Sequence, residues 1–186
     1  EAAANLDIRK VVLASSESSY GIVFAEQFFA PNYLPIDERH PLLSEDSYGL
    51  SKMVNEATGE AFHRRTGMQV ISFRLGNVLE PEDYPRVRQT FTNSEERLRI
   101  LWSYIDVRDM AVACRLAVEL DGLGAQSLIL SAEDTSSDLP SEELIRRYLP
   151  ELTEYIEHLP ERTGFLSNAK AQEVLGWKQQ HFFMDQ

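Results

Sequence analysis

Arg9-Lys10-Val11-Val12-Leu13-Ala14-Ser15-Ser16 is a short apolar run, rich in β-branched residues, that ends abruptly in two hydroxyls. Its first part, Arg9 to Ala14, reads as a strand buried on both faces, the pattern of a parallel sheet. Upstream, Glu1 to Ala4 reads as the tail of a helix that Asn5 ends. Downstream come the polar turn from Ser15 to Gly21 and a loop holding Pro31, Pro35 and Pro41. From Ser47 to Thr66, Leu50, Met53, Val54, Ala57, Ala61 and Phe62 recur at helical spacing. Gly67 stops that helix, and His63, Arg64 and Arg65 complement the dipole in its last turn. Gln69 to Leu75 reads as a second buried strand, and Pro81 to Arg99 as polar and irregular. Tyr104 to Leu120 is a strand entry and then a helix whose apolar face holds Met110, Ala113, Cys114, Leu116 and Ala117. A third strand, Gln126 to Leu130, precedes helices near Ser141–Tyr148 and Ser167–Leu175, the last stopped by Gly176. Alternating strands and helices mean α/β with a mostly parallel sheet.

Composition sets the outer bounds. The chain has 186 residues, 43% of them apolar, enough for a real core and too many for a disordered chain. Thirty acidic residues oppose eighteen basic ones, a net charge of −12, and only four of the basic residues are lysines (Lys10, Lys52, Lys170 and Lys178). Phosphate backbones need clustered Lys and Arg, so nucleic acid is not an expected partner. No apolar run approaches the roughly 18 residues of a membrane span. One cysteine, Cys114, excludes a disulfide framework, and no His has a partner at metal-ligand spacing, so no metal site is expected.

Tyr48-Gly-Leu-Ser-Lys52 lies on the predicted long helix, where residues i and i+4 share a face. A free phenol ionises near pH 10, too high for a base at neutral pH, and an adjacent cation favours the phenolate. Such a pair is a usable proton shuttle. With seven Tyr and four Lys in the chain, about 0.15 such pairs arise from composition alone, so the pair needs its context. That context is the strand ending in Ser15-Ser16, because open α/β sheets place their chemistry at strand C-termini. A Ser hydroxyl there can hydrogen-bond a substrate oxygen together with the Tyr; the same residues also read as an ordinary Ser-rich turn.

In order along the chain, Val11-Val-Leu-Ala-Ser-Ser16 with Tyr20-Gly21, Pro35-Ile-Asp-Glu38 with His40-Pro41, Tyr48-Gly-Leu-Ser-Lys52 with Glu56, Arg74-Leu-Gly-Asn77-Val78, Tyr104-Ile-Asp-Val-Arg-Asp109-Met-Ala111, and Ser167-Asn-Ala-Lys170-Ala with Leu175-Gly-Trp177 resemble the extended short-chain dehydrogenase/reductases, the NAD-dependent sugar epimerase/dehydratase group. The resemblance implies a Rossmann-like doubly wound parallel sheet (its C-terminal part) with a small C-terminal substrate-binding lobe. Residues 1–80 and 104–120 would belong to the sheet domain, and 81–103 and 121–186 to the lobe. It implies that Ser16 is the catalytic hydroxyl, Tyr48 the general acid/base, and Lys52 the residue that holds the nicotinamide ribose and tunes Tyr48. The cofactor, NAD or NADP, would lie along Ala14, Ser15, Tyr48, Lys52 and Leu75. A sugar-like substrate would meet Glu17, Ser18, Asn77, Arg97, Arg99 and Trp102. It further implies a cytoplasmic homodimer paired through the Ser47–Thr66 helix, with Val54, Ala61 and Phe62 as candidate contacts.

Departures from the family pattern narrow the reading. None of the nine Gly forms G-x-x-G-x-x-G or G-x-G-x-x-G, the loop whose N–H groups cradle a pyrophosphate, so the first roughly 100 residues of a Rossmann domain are expected to lie outside this sequence. Family dehydratases carry an Asp-Glu pair where this chain has Glu17-Ser18, which argues against 4,6-dehydration. Nucleotide-sugar members carry an Arg where Trp102 stands, and the segment from Pro81 to Ser103 is short, as in related uronate dehydrogenases. A smaller substrate follows: a free sugar or a sugar acid, oxidised by a uronate-like or aldose dehydrogenase. Arg97 and Arg99 read either as a bidentate grip on a carboxylate or as solvated surface residues. The rival class is a non-catalytic binding or regulatory protein on the same scaffold. His40 is expected on a surface loop, Asp106 and Asp109 as helix N-terminal caps, and Phe28-Phe29, Phe182-Phe183 and Cys114 as core or interface. Isothermal titration of the 186-residue chain is expected to show negligible NAD affinity; micromolar binding would overturn that expectation.

Overall fold

The computed structural model describes residues 1–89 and 91–186; the expected substrate lobe over 81–103 thus includes one position outside the described residues. Three strands, β1 (Lys10–Ser16), β2 (Gln69–Leu75) and β5 (Ala125–Leu130), form a parallel sheet in the order β1-β2-β5. Val12 sits opposite Ile71, and Ile71 opposite Gln126, so the C-terminal ends of all three strands align. A second, two-stranded parallel sheet pairs β3 (Val78–Leu79) with β4 (Ile105–Asp106). Two residues is too short a run to show period-two alternation, and the sequence reading passed over β3.

Helices cover both faces of the main sheet, as a doubly wound fold requires. Helix α2 (Ser47–Thr66) lies on one side. On the other lie α4 (Val107–Glu119) and α6 (Ala169–Leu175). Side chains alternate along β2. Ile71 and Phe73, with Leu128 and Leu130 of β5, pack on Ala113, Ala117, Ala171, Leu175 and Trp177 in an apolar core. The intervening Val70, Ser72 and Arg74 face α2, an interface that is polar around Arg74 and apolar where Gly59 lets Val70 and Leu13 approach. A Cβ on Gly59 would come within 2.7 Å of the Val70 side chain.

The bounds of α2 match the sequence reading, with Asp46 accepting from Gly49 N at 2.8 Å and Gly67 ending the helix at φ 74°. The apolar repeat, however, does not mark its inner face. Leu50, Val54, Ala57 and Ala61 are exposed, whereas Gly49, Glu56 and Gly59 are buried. Small and ion-paired residues face the sheet because the sheet itself presents Ser15, Arg74 and Ser127 there. Strand β1 also departs from expectation: Val11 to Leu13 are half-buried and Ala14 exposed, because within these residues β1 pairs on one side only, with β2.

A second core lies beneath the strand ends. Tyr20, Ile22, Leu34 and Ile36, from the segment before α2, pack with Leu101, Trp102, Ile129, Phe165 and the inner residues of α5 (Ser141–Tyr148). Phe28 and Phe29 pack against the same cluster, and Phe183 belongs to a third with Leu79, Tyr84 and Tyr104. The polar stretch after β3 holds short helical turns at Pro81–Asp83 and Phe91–Ile100 and α3 (Tyr84–Arg88). The 3-10 turns at Pro150–His158 were not foreseen, since 3-10 segments leave no 3.6-residue period. Among the described residues, no helix is long and apolar enough to cross a membrane.

Two histidine and aspartate expectations need correction. His40 is buried, 2% exposed, between Tyr20 and Tyr33. Its Nε2 accepts from Asn32 N at 3.0 Å while Nδ1 meets Pro41 O at 3.0 Å, so the ring is held neutral, and burial pushes its pKa down. Asp106 does cap α4, accepting from Arg108 N at 2.8 Å. Asp109 instead turns away and anchors the C-terminal segment, accepting from Gln180 N, His181 N and His181 Nδ1 at 3.1, 3.0 and 2.9 Å. Asp109→Ala strands those donors and is expected to cost about 2–4 kcal/mol; limited proteolysis should then cut first after Trp177, and an unchanged cleavage pattern would refute the anchoring role.

Candidate active site

Ser16 lies at the C-terminal end of β1, and α2, which carries Tyr48 and Lys52, packs against the turn that follows it. Ser16 ends the strand and caps the 3-10 turn Glu17–Tyr20: its Oγ accepts from Ser18 N at 3.1 Å and lies 2.9 Å from Ser18 Oγ. Strand alternation sends the neighbouring Ser15 the other way, where its Oγ donates to Glu56 Oε1 at 2.5 Å. Ser15 is therefore engaged on the α2 side of the sheet, and only its backbone is left to line a cleft.

Helix α2 is pressed onto this turn. A Cβ on Gly49 would lie 2.7 Å from Ser18 O, and Ser44 Oγ bridges to Ser18 O and Ser19 O at 2.9 and 3.1 Å. Only glycine permits that approach, and it brings the first turn of α2, which carries Tyr48, against the turn that carries Ser16. Tyr48 is 47% exposed, its ring edge-on to Phe24 with centroids 6.0 Å apart. Lys52 Nζ lies 5.1 Å from the Tyr48 ring centroid and donates to Ala14 O at 2.8 Å. One ammonium thus links the phenol-bearing helix to the last residues of β1. Asn77 is half-buried after β2, with its carbonyl accepting from Ile105 N, and Leu75 is half-buried at the strand end.

Glu17 is the residue whose state the sequence could not show. It is buried, and Ser103 Oγ donates to its Oε2 at 2.5 Å. Burial raises its pKa from 4.5 to about 8, against the opposing pull of the Ser103 hydrogen bond and the Arg97 charge. With Tyr20, Ile36, Arg99 and Leu101 it lines a narrow crevice of about 10 Å³, room for no more than a water molecule. Arg97 is half-buried and donates to Ser136 Oγ at 2.8 Å and Ser103 O at 3.3 Å; burial brings its pKa down to about 10. Arg99 is exposed and donates to Ala25 O at 2.6 Å. Trp102 does not join them. It is fully buried, donates from Nε1 to Ser94 O at 2.7 Å and stacks near Phe165 and Tyr148, which makes it a packing residue.

Behind the site lies an ion pair to which sequence reasoning gave no role. Glu56 and Arg74 are 6% and 5% exposed and meet at 2.7 Å. Burial alone would raise the Glu56 pKa, but hydrogen bonds from Arg74 and Ser15 bring it below the usual carboxylate range.

Three comparisons place this geometry. A profile described as the NAD dependent epimerase/dehydratase family matches residues 1–127. A protein of Methanocaldococcus jannaschii named "Putative UDP-glucose 4-epimerase" is 40% identical over 80 residues, covering 43% of this chain and 24% of that one. Among solved structures, a mutated uronate dehydrogenase superposes with TM-score 0.64 at 20% identity, over 99% of this chain and 50% of that one. A short-chain dehydrogenase/reductase superfamily protein from Agrobacterium tumefaciens with bound NAD gives TM-score 0.65 at 20% identity, over 98% and 66%. The chain thus spans between a quarter and two thirds of the length of these proteins.

The raised pKa of Glu17 has a signed consequence. Between about pH 5 and pH 8 the folded state holds a proton that the unfolded state releases, so stability falls as pH rises through that window. Glu17→Gln, which stays neutral, is expected to flatten the decline; thermal melts across that range that stay parallel to wild type would contradict the shift.

Proposed function

The chain belongs to the NAD-dependent epimerase/dehydratase family, and from that premise we propose that it carries the catalytic half of an enzyme that oxidises a sugar hydroxyl and, in an epimerase, re-reduces the resulting carbonyl. The observation that carries the reading is Lys52, held at the end of β1 by Ala14 O with its ammonium beside the Tyr48 ring. Tyr48 Oη takes the substrate hydroxyl proton and gives it back in the reverse direction. Ser16 Oγ holds the same oxygen, and Lys52 keeps positive charge beside the phenol throughout. Bound NAD supplies acceptance and return of a hydride.

The residues present suit only part of that cofactor. Lys52 has donors left beyond the one given to Ala14 O, and Ala14 is exposed beside it, a fitting contact for the nicotinamide ribose. No Gly-rich turn in these 186 residues supplies backbone N–H groups for the phosphates.

A sugar acid is a second reading, favoured by the two guanidiniums. Arg97 donates to Ser136 Oγ and Ser103 O and Arg99 to Ala25 O, all neutral oxygens, and burial favours the protonated form of the neighbouring Glu17. Arg99 lines the crevice beside Glu17, and a guanidinium at its mouth suits a carboxylate. Accumulation of reduced nicotinamide on adding a uronate marks a dehydrogenase; interconversion without accumulation marks an epimerase.

Tyr48→Phe in the natural full-length protein is expected to lower turnover by about 10²–10⁴-fold while leaving NAD affinity within about threefold of wild type; unchanged turnover would refute the mechanism. We also infer a homodimer through the outer stripe of α2, where Leu50 and Val54 are 52% and 55% exposed and Ala57 and Ala61 continue the line. Phe62 lies off that stripe, half-buried beneath Arg65. Light scattering should give a dimer mass for the full-length protein and a monomer mass for Val54→Glu; a monomeric wild type would refute the interface.

A further inference from the structure

The site needs two rigid parts held in register: α2, with Tyr48 and Lys52, and the end of β1, with Ser16. Lys52 and the Gly49 approach hold the two together near the surface. A deeper link joins them in the interior, at Glu56. This residue lies eight positions after Tyr48 and four after Lys52 on one continuous helix, so any slide or rotation of the helix at Glu56 is passed on to both.

Every polar atom around Glu56 fixes a different element. Oε1 accepts from Ser15 Oγ of β1 at 2.5 Å, and Oε2 accepts from Ser127 Oγ of β5 at 2.9 Å. Arg74 of β2 donates to Oε2 from Nη2 at 2.7 Å and from Nε to both oxygens at 3.1 and 3.2 Å. The far end of the same guanidinium, Nη1, donates to Tyr20 Oη at 3.2 Å and Glu38 O at 3.1 Å, reaching the turn that follows Ser16. All three strands of the sheet, the Ser16 turn and α2 thus converge on one carboxylate and one guanidinium.

The hydrophobic driving force is itself non-directional, so an apolar interface fixes a helix only through the fit of its side chains. The planar fork of Arg against a carboxylate fixes both distance and orientation. The fully buried positions of this helix are Gly49, Glu56 and Gly59, with Met53, Phe62 and His63 half-buried beside them, so Glu56 is the one buried side chain of α2 that makes directed polar bonds to the sheet.

We propose that the buried Glu56–Arg74 pair, coupled to β1 through Ser15, is the positioning device that sets Tyr48 and Lys52 against Ser16. It acts on the reaction through those residues and touches neither substrate nor cofactor; the inference rests on the reading of Tyr48, Lys52 and Ser16 given above. Misplacement of reacting groups by about 1 Å costs on the order of 10²-fold in rate. A positioning role therefore lowers kcat and leaves the KM values nearly unmoved, whereas a purely structural role lowers only thermal stability.

Three variants of the natural full-length protein test this. Ser15→Ala removes one hydroxyl and leaves the ion pair intact. Glu56→Gln keeps the shape but leaves Arg74 without its counter-charge. Glu56→Gln/Arg74→Met removes both charges, so that no unpaired ion is buried. Turnover is followed with NAD and either UDP-glucose or D-glucuronate, whichever wild type converts, and amide hydrogen exchange is followed in residues 47–53. The double variant should fold and lose kcat by about 10–100-fold with KM within about threefold, and Ser15→Ala should lose about fivefold. Exchange in residues 47–53 should quicken in all three, while β2 and β5 stay protected. A kcat for Ser15→Ala and for any folded charge variant within about twofold of wild type, or unchanged exchange in residues 47–53, overturns the proposal. Tyr48→Phe serves as the separate control: if it keeps full turnover, the functional reading fails, while the exchange result still decides whether the pair positions the helix.

Discussion

A carboxylate and a guanidinium buried together at 2.7 Å, Glu56 and Arg74, are the constraint around which the α2 side of this molecule is organised. Such a pair carries a large desolvation cost, and removing one partner typically costs about 3–5 kcal/mol because the other is left charged and unpaired. The chain meets that cost with hydroxyls from neighbouring strands, Ser15 and Ser127, and with Tyr20 and the Glu38 carbonyl beyond Arg74. The consequence is a helix that sits on a polar sheet face through a few directed bonds. The opposite face of the same sheet is conventional, an apolar layer built from Ile71, Phe73, Leu128 and Leu130 against α4 and α6.

That asymmetry explains what could be read from the sequence and what could not. The limits of α2 were legible because they depend on local chemistry, the Asp46 cap and the left-handed Gly67. The orientation of α2 was not, because the periodic apolar residues Leu50, Val54, Ala57 and Ala61 point to solvent and the inner residues are glycines and a glutamate. Hydrophobic periodicity finds an apolar face but does not say whether the sheet or another surface covers it. Strand β2 was read with correct ends because it is central and buried. Strand β1 was read as more buried than it is within these residues, where it pairs on one side only, with a strand 59 residues away in the sequence.

At the site, Ser16, Tyr48 and Lys52 could be singled out because their spacing and strand context survive in one dimension. Glu17 could be named but its protonation could not: its burial and raised pKa arise from Ser103, 86 positions on, and from Arg97. The same holds for Trp102, whose departure from the family pattern was visible while its fate, a fully buried indole bonded to Ser94 O, required the packed lobe. The role of Glu56 and Arg74 was silent in sequence because neither residue is unusual alone; only their meeting on the inner face of α2 gives them one.

The proposed mechanism requires the first turns of α2 and the end of β1 to converge on a single substrate oxygen. A crystal structure of the natural full-length protein with NAD and a bound sugar measures it directly. One substrate hydroxyl or carbonyl oxygen is expected within about 3.2 Å of both Tyr48 Oη and Ser16 Oγ, with Lys52 Nζ on the nicotinamide ribose. A sugar whose reacting oxygen meets neither residue, with the Tyr48 phenol left in solvent, would contradict it.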